Sequence, residues 1–159
     1  KNPNYQKKNY RDNIEARLKY AQEYRQRKNV KSKRNNDRNL KRKIDPAFKL
    51  KTNVSRTIRS ALKKNDSSKN NISFRKYFNY SMDDLKTHLE SLWEPWMNWN
   101  NYGIYLKNGP ITWQIDHIIP QSKLPYASME DDNFKKCWAL ENLRPLESMA
   151  NMLKGNKII

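Results

Sequence analysis

The sequence predicts an α+β protein in two parts: a strongly basic, mainly helical N-terminal extension over residues 1–64, and a domain over residues 65–159 that holds the strands. Three observations point there. The 159-residue chain has 33 Lys and Arg against 16 Asp and Glu. The whole surplus of 17 falls in residues 1–64, which hold 22 basic and 5 acidic residues, while residues 65–159 hold 11 of each. No glycine precedes Gly103, and glycine-free chain rich in Lys, Arg, Gln, Glu and Ala favours helix. All five Trp follow residue 64, where 39 of 95 residues are apolar against 18 of the first 64, enough for a small core.

The same numbers exclude several classes. No apolar run approaches the roughly 20 residues that a membrane-spanning helix needs, and none reads as a signal-peptide core. Cys137 is the only cysteine, which excludes a disulfide framework and a cysteine-built zinc site. A first residue of Lys1 rather than Met leads us to expect a trimmed product or an excerpt of something longer. The basic block needs an anionic partner, and nucleic acid is the expected one, because neutralising phosphates releases condensed counterions. A basic linker and a membrane-surface segment are the alternatives. A surface-seeking helix would carry bulky Trp, Phe and Leu on the face where this chain offers Tyr, Ile and Ala.

Tyr10, Ile14, Leu18, Ala21 and Tyr24 recur every three or four residues, the stripe of a first helix. Arg11 and Lys28 are among the basic residues off that stripe. From Val30 to Lys43 the stripe fades, and a frayed helix or a linker is expected. Asp45 is a good N-cap and Pro46 suits a first helical position. Leu50, Val54, Ile58 and Leu62 then repeat every four residues, predicting a helix over 46–64. Lys49, Lys51, Arg56 and Arg59 lie on its polar face and are the candidate DNA contacts. A merely solvating face is the plainer account of one basic helix. Two of them, almost without acidic i,i+4 partners, favour phosphate.

Ser81 with Asp84 forms a capping-box start, and Met82, Leu85, Leu89 and Leu92 make the stripe of a helix that Pro95 limits. His88 sits near that stripe as a packed residue. Trp93, Trp96 and Trp99 could stack bases, but at least two of them are expected in the core. Asn108-Gly109 between Gly103–Leu106 and Ile111–Ile115 signals a hairpin, which Pro110 weakens.

The stretch from 113 to 157 carries the chemistry. An apolar strand ends in Asp116-His117, followed by Ile118-Ile119-Pro120. A polar, helical insert runs from Met129 to Trp138. A second strand lies in 140–146, and a two-turn helix is framed by Ser148 as N-cap and Gly155. Phosphodiester hydrolysis needs a group to take a proton from water and a cation to stabilise charge on the phosphate and the leaving oxygen. A neutral imidazole suits the first task, and a hard divalent ion held by oxygen ligands suits the second. Neighbours in a strand, Asp116 and His117 leave on opposite faces unless the chain bends. A bend at Ile118–Pro120 would turn both toward one cleft, with Asn151 and Lys154 on the helix facing it.

Asp116-His117-Ile-Ile-Pro, then Asn142 in Asn-Leu-Arg-Pro-Leu, then Asn151-x-x-Lys154-Gly155 resembles the HNH endonuclease family, its phage-type and homing-type members in particular. The resemblance covers residues 113–157, and more loosely residues 45–50 and 82–93. It implies a C-terminal ββα-metal core of two antiparallel strands and a helix around one divalent ion, Mg²⁺ or Mn²⁺. It implies His117 as the general base, Asp116 and Asn151 as metal ligands, and Asn142 as the residue that holds the loop and orients the histidine. Lys154, Gln121 and Arg144 follow as candidates near the phosphate. The family's zinc-knuckle cysteines are absent, so Trp113, Trp138, Leu140, Leu143, Leu146, Met149 and Leu153 are expected to brace the fold.

The chain is thus expected to be a metal-dependent DNA endonuclease that leaves 5′-phosphate and 3′-hydroxyl ends. It is expected to act on double-stranded DNA in the cytoplasm of a bacterial or phage-infected host cell, with no membrane partner. The sequence leaves monomer or dimer, and nick or double-strand cut, open. A DNA-binding or packaging accessory protein with a vestigial nuclease core is the alternative. A structure-specific or RNA-directed nuclease is a third.

Overall fold

The structure, a computed structural model, describes residues 3–158. The side chains of residues 3–12 and of Lys28 lie outside the described set, Tyr10 and Arg11 of the first predicted helix among them. The chain falls into two units, residues 1–44 and 45–159.

The first unit is two helices, α1 (Pro3–Gln26) and α2 (Lys28–Ile44), interrupted at Arg27. Helix therefore continues through Val30–Lys43, where the fading stripe predicted fraying or a linker. Lys, Arg, Asn and Leu without Gly or Pro offer nothing that breaks it. Among the described residues of α1's predicted stripe, Ile14, Leu18 and Tyr24 are all exposed and Ala21 is partly buried. The unit holds 16 Lys and Arg against 4 Asp and Glu.

The second unit starts at the N-cap of α3 (Pro46–Lys64). The Asp45 carboxylate accepts from the Phe48 N–H at 2.8 Å, and Pro46 occupies the first turn. Leu50, Val54, Ile58 and Leu62 are buried in one stripe. α3 packs on α4 (Met82–Ser91), which in turn packs on the sheet. The boundary drawn by charge at 64/65 is therefore not the packing boundary. α3 shares the charge of the first unit but the core of the second, because its apolar stripe is buried against α4.

Ser81 accepts from the Asp84 N–H at 3.1 Å while Asp84 accepts from the Ser81 N–H at 2.8 Å, closing the capping box of α4. His88 donates from Nε2 to the Leu143 carbonyl at 2.8 Å, a packed residue. Trp113 is fully buried, stacked on Tyr102 at 4.6 Å and met edge-on by Trp93 and Trp99. Trp93, Trp96 and Trp99 all pack against the core.

The predicted hairpin over 103–115 does not form. Its turn exists, with the Gly109 N–H on the Leu106 carbonyl at 2.9 Å and Asn108 at φ 63°. Yet residues 103–112 make no strand, and one isolated bridge joins Tyr102 to Trp113. Pro110 removes a ladder donor there. β1 (Trp113–His117) pairs antiparallel with β2 (Leu143–Glu147) instead, Asp116 opposite Arg144 and His117 opposite Leu143. The insert contributes a short α5 (Asp132–Cys137), and α6 (Ser148–Lys154) packs on both strands.

The expected α+β class with a ββα-metal core needs correction. The described residues form six α-helices and a single two-stranded sheet, so the chain is mainly helical, and no metal-centred core is shown. Two outcomes add helix or remove strand: α2 runs unbroken where a frayed helix or a linker was expected, and the hairpin contributed one strand rather than two. No described helix is long and apolar enough to cross a membrane.

Candidate active site

The antiparallel pairing sorts the site by alternation. Gln114 and Asp116 on β1 share a face with Arg144 and Leu146 on β2. Trp113, Ile115 and His117 share the other with Leu143 and Pro145. β1 continues in register through His117, so no bend brings Asp116 and His117 onto one face. The structure places them back to back at the end of one strand.

Asp116 is 4% exposed, and both its oxygens accept from cations. Lys154 Nζ donates to Oδ1 at 2.7 Å, and Arg144 Nε donates to Oδ2 at 2.9 Å. The Lys154 side chain is itself only 1% exposed, and Nζ also donates to the His117 carbonyl at 2.5 Å. A buried carboxylate is costly unless paired and hydrogen-bonded, and here it is both. Asn151, one turn before Lys154, donates from Nδ2 to Gln114 Oε1 at 3.3 Å. Gln114, which the sequence reading missed, was findable from its period-two spacing to Asp116.

The buried face of α6 is thus polar: Ser148, Asn151 and Lys154 at three-residue spacing. Ser148 meets the Thr112 hydroxyl at 2.6 Å. It is not the N-cap; the Glu147 carboxylate accepts from the Met149 and Ala150 N–H groups, both at 3.2 Å, and takes that role. Met149 and Leu153, expected to brace the fold, are 42% and 67% exposed. Gly155 ends the helix at φ 56°, a backbone region that favours glycine.

His117 lies edge-on to Trp138 at 4.8 Å. Its Nε2 is buried and has no hydrogen-bond partner. Burial pushes its pKa down to about 4; the nearby Lys154 charge adds to that, and Asp116 opposes it. The imidazole is neutral at pH 7, with an unsatisfied nitrogen.

Asn142 clamps the turn that follows. Its Oδ1 accepts from the Ile119 N–H at 2.7 Å, and Nδ2 donates to the carbonyls of Cys137 at 2.9 Å and Ile119 at 3.3 Å. Its own carbonyl accepts from the Ile118 N–H at 2.9 Å. Four bonds from one buried residue fix the exit of β1. Cys137 packs in the core, its thiol pushed up to about 12 by burial.

The remaining candidates scatter. Lys49 turns inward, donating to the Tyr102 carbonyl at 2.6 Å with Nζ 4.8 Å from that ring's centroid. Lys51, Arg56 and Arg59 are exposed on α3. Gln121 donates to the Tyr126 hydroxyl at 2.9 Å and shares a groove with Arg56.

The described residues contain no group of three or more His, Cys, Asp and Glu that would hold a metal. The donors themselves fit a hard divalent ion in kind, since the Asp116 carboxylate and the Asn151 amide oxygen stand on packed elements. Such an ion would exchange with the Lys154 and Arg144 contacts on Asp116.

No family model matches the chain, and no solved structure matches it. It is similar to the uncharacterized protein L426 of Acanthamoeba polyphaga mimivirus, 28% identical over 115 residues. That match covers 72% of this chain and 45% of the viral protein, so the chain spans less than half its relative's length.

Proposed function

We propose that the chain is a metal-dependent DNA endonuclease of the HNH type. The observation that carries the reading is the end of β1: a neutral imidazole with an unsatisfied buried Nε2, a neighbouring carboxylate flanked by cations on the strand's other face, and a following turn clamped by Asn142. His117 takes a proton from water onto Nε2. The resulting hydroxide attacks phosphorus, the bond to the 3′ oxygen breaks, and that oxygen takes a proton from solvent water, leaving a 5′-phosphate and a 3′-hydroxyl. Asp116 and Asn151 would hold Mg²⁺ or Mn²⁺, which supplies stabilisation of charge on the phosphate and the leaving oxygen. Until such an ion binds, Lys154 and Arg144 hold the Asp116 carboxylate in place. The surplus of 17 positive charges in residues 1–64 supports a duplex partner held by its phosphates.

A pKa near 4 makes His117 a weak base in the absence of substrate. A phosphate beside it raises that value, because a nearby negative charge favours imidazolium. Supercoiled plasmid with and without Mg²⁺ tests the proposal, with the ends mapped. His117→Ala is expected to lower cleavage at least 100-fold and leave DNA binding within about threefold. Full cutting by the variant would sink the assignment.

One observation favours the second reading, a DNA-binding accessory protein with a vestigial core. Asp116 already has both oxygens engaged, and His117 lies on the opposite face. Plasmid that binds but stays supercoiled in Mg²⁺ and Mn²⁺ would select it.

A further inference from the structure

Within the second unit, the basic face of α3 and residues 121–126 bound an open groove of about 540 Å³. Arg56 and Lys64 stand on its α3 side, eight residues apart, or roughly 12 Å along the helix. Ala61 and Leu124 line it as well, so it combines an apolar surface with cationic side chains. Its far wall is braced. The Asn65 amide donates to the Tyr126 carbonyl at 2.8 Å, tying the end of α3 to the opposite wall. The buried Tyr126 hydroxyl accepts from Gln121 at 2.9 Å and from Trp138 Nε1 at 3.2 Å. The Trp138 ring is the one that packs edge-on against His117. Two rings therefore connect the wall of this groove to the proposed base. The carbonyls at the end of α3 would repel an anion, but the Asn65, Asp66 and Ser67 N–H groups cap those of Leu62 and Lys63.

We propose that this groove seats a nucleotide of the strand to be cut, its two flanking phosphates on Arg56 and Lys64 and its sugar against Ala61 and Leu124. A nucleotide has the matching asymmetry, an apolar sugar face with an anionic edge, and the wall it would meet connects to the histidine through Tyr126 and Trp138. The inference rests on the nuclease reading and adds the place where the substrate strand enters.

The test uses the full chain carrying His117→Ala, in EDTA, with a labelled duplex and, separately, thymidine 3′,5′-bisphosphate as a probe. Arg56→Glu with Lys64→Glu is compared with Arg75→Glu and Lys76→Glu, an equal charge change at exposed positions away from the groove. The groove pair is expected to raise the duplex Kd at least tenfold and flatten the salt slope by about two. The control pair is expected to raise Kd less than threefold. The bisphosphate is expected to shift the Trp138 indole and Gln121 amide NMR resonances, and the groove pair to abolish those shifts. Equal effects of the two pairs, or bisphosphate shifts confined elsewhere, would overturn the groove. With His117 restored, cleavage at an unchanged KM in the groove pair would overturn the groove and leave the nuclease reading standing. A wild-type chain that never cuts, while the bisphosphate still shifts Trp138, would overturn the nuclease reading and keep the groove.

Discussion

Two helices of the second unit, α3 and α6, are built on opposite plans. α3 buries Leu50, Val54, Ile58 and Leu62 and shows a basic face to solvent. α6 buries Ser148 and Lys154, half-buries Asn151, and exposes Met149, Met152 and Leu153. The first plan belongs to a helix that holds a fold together, since apolar area removed from water is the main stabilising term. The second belongs to a helix whose inner face contacts a charged strand residue. An apolar stripe in a sequence therefore marks a helix's core face only where the neighbouring element is also apolar. Opposite α6 stands Gln114-x-Asp116, and the polar stripe turns inward to meet it.

The contrast can be broken most forcefully at Lys154. Lys154→Met leaves a buried carboxylate with Arg144 as its remaining cation, and we expect a loss of about 3–5 kcal/mol in urea unfolding. A loss below about 1 kcal/mol would mean that the buried pair does not hold α6 to β1. On the other plan, Leu62→Ala in the fully buried stripe of α3 should cost about 3 kcal/mol by the same measurement. It should leave the pH dependence of stability unchanged.

His117 sharpens the comparison through pH. Its folded pKa of about 4 lies below its ordinary 6.5, so between those values the unfolded chain binds a proton that the folded chain does not. Stability from this source is complete above 6.5 and falls as pH is lowered toward 4, by roughly 3 kcal/mol in all. His117→Phe should remove that slope; a slope that persists undiminished would locate the titration elsewhere. The smallest effect belongs to the outer face of α6. Met152→Gln and Leu153→Gln should each change stability by no more than about 0.5 kcal/mol. Larger losses would show that this face is covered by something.

Much of the second unit was legible from residues alone. The spacing of Leu50, Val54, Ile58 and Leu62 predicted α3 and its buried face, because a four-residue repeat on a capped segment has one reading. The Ser81–Asp84 box located the start of α4 for a similarly local reason. Asn142 is singled out by the resemblance as the residue that holds the loop and orients the histidine; it makes four hydrogen bonds, to Ile118, Ile119 and Cys137. Other features were not legible, because they depend on partners distant in the chain. The 103–115 hairpin has a local turn signal weakened by Pro110, and β1 pairs instead with β2, about 30 residues on. Lys49 is a candidate phosphate contact by its place on a basic helix face, and Lys154 and Arg144 by the resemblance. Each instead meets a group of this chain: Lys49 the Tyr102 carbonyl, the other two Asp116.

By itself, then, the sequence determined the charge split, the absence of any membrane-length run, and the helices with local caps or apolar stripes. Each follows from composition or from spacing within a turn or two of chain. The tertiary structure decided that α3 joins the second unit, that Asp116 and His117 point to opposite faces, and that the polar side of α6 lies inward. Those outcomes depend on which surface each element meets. Burial free energy belongs to pairs of surfaces, and a charge such as Asp116 recruits its partners from 28 and 38 residues away.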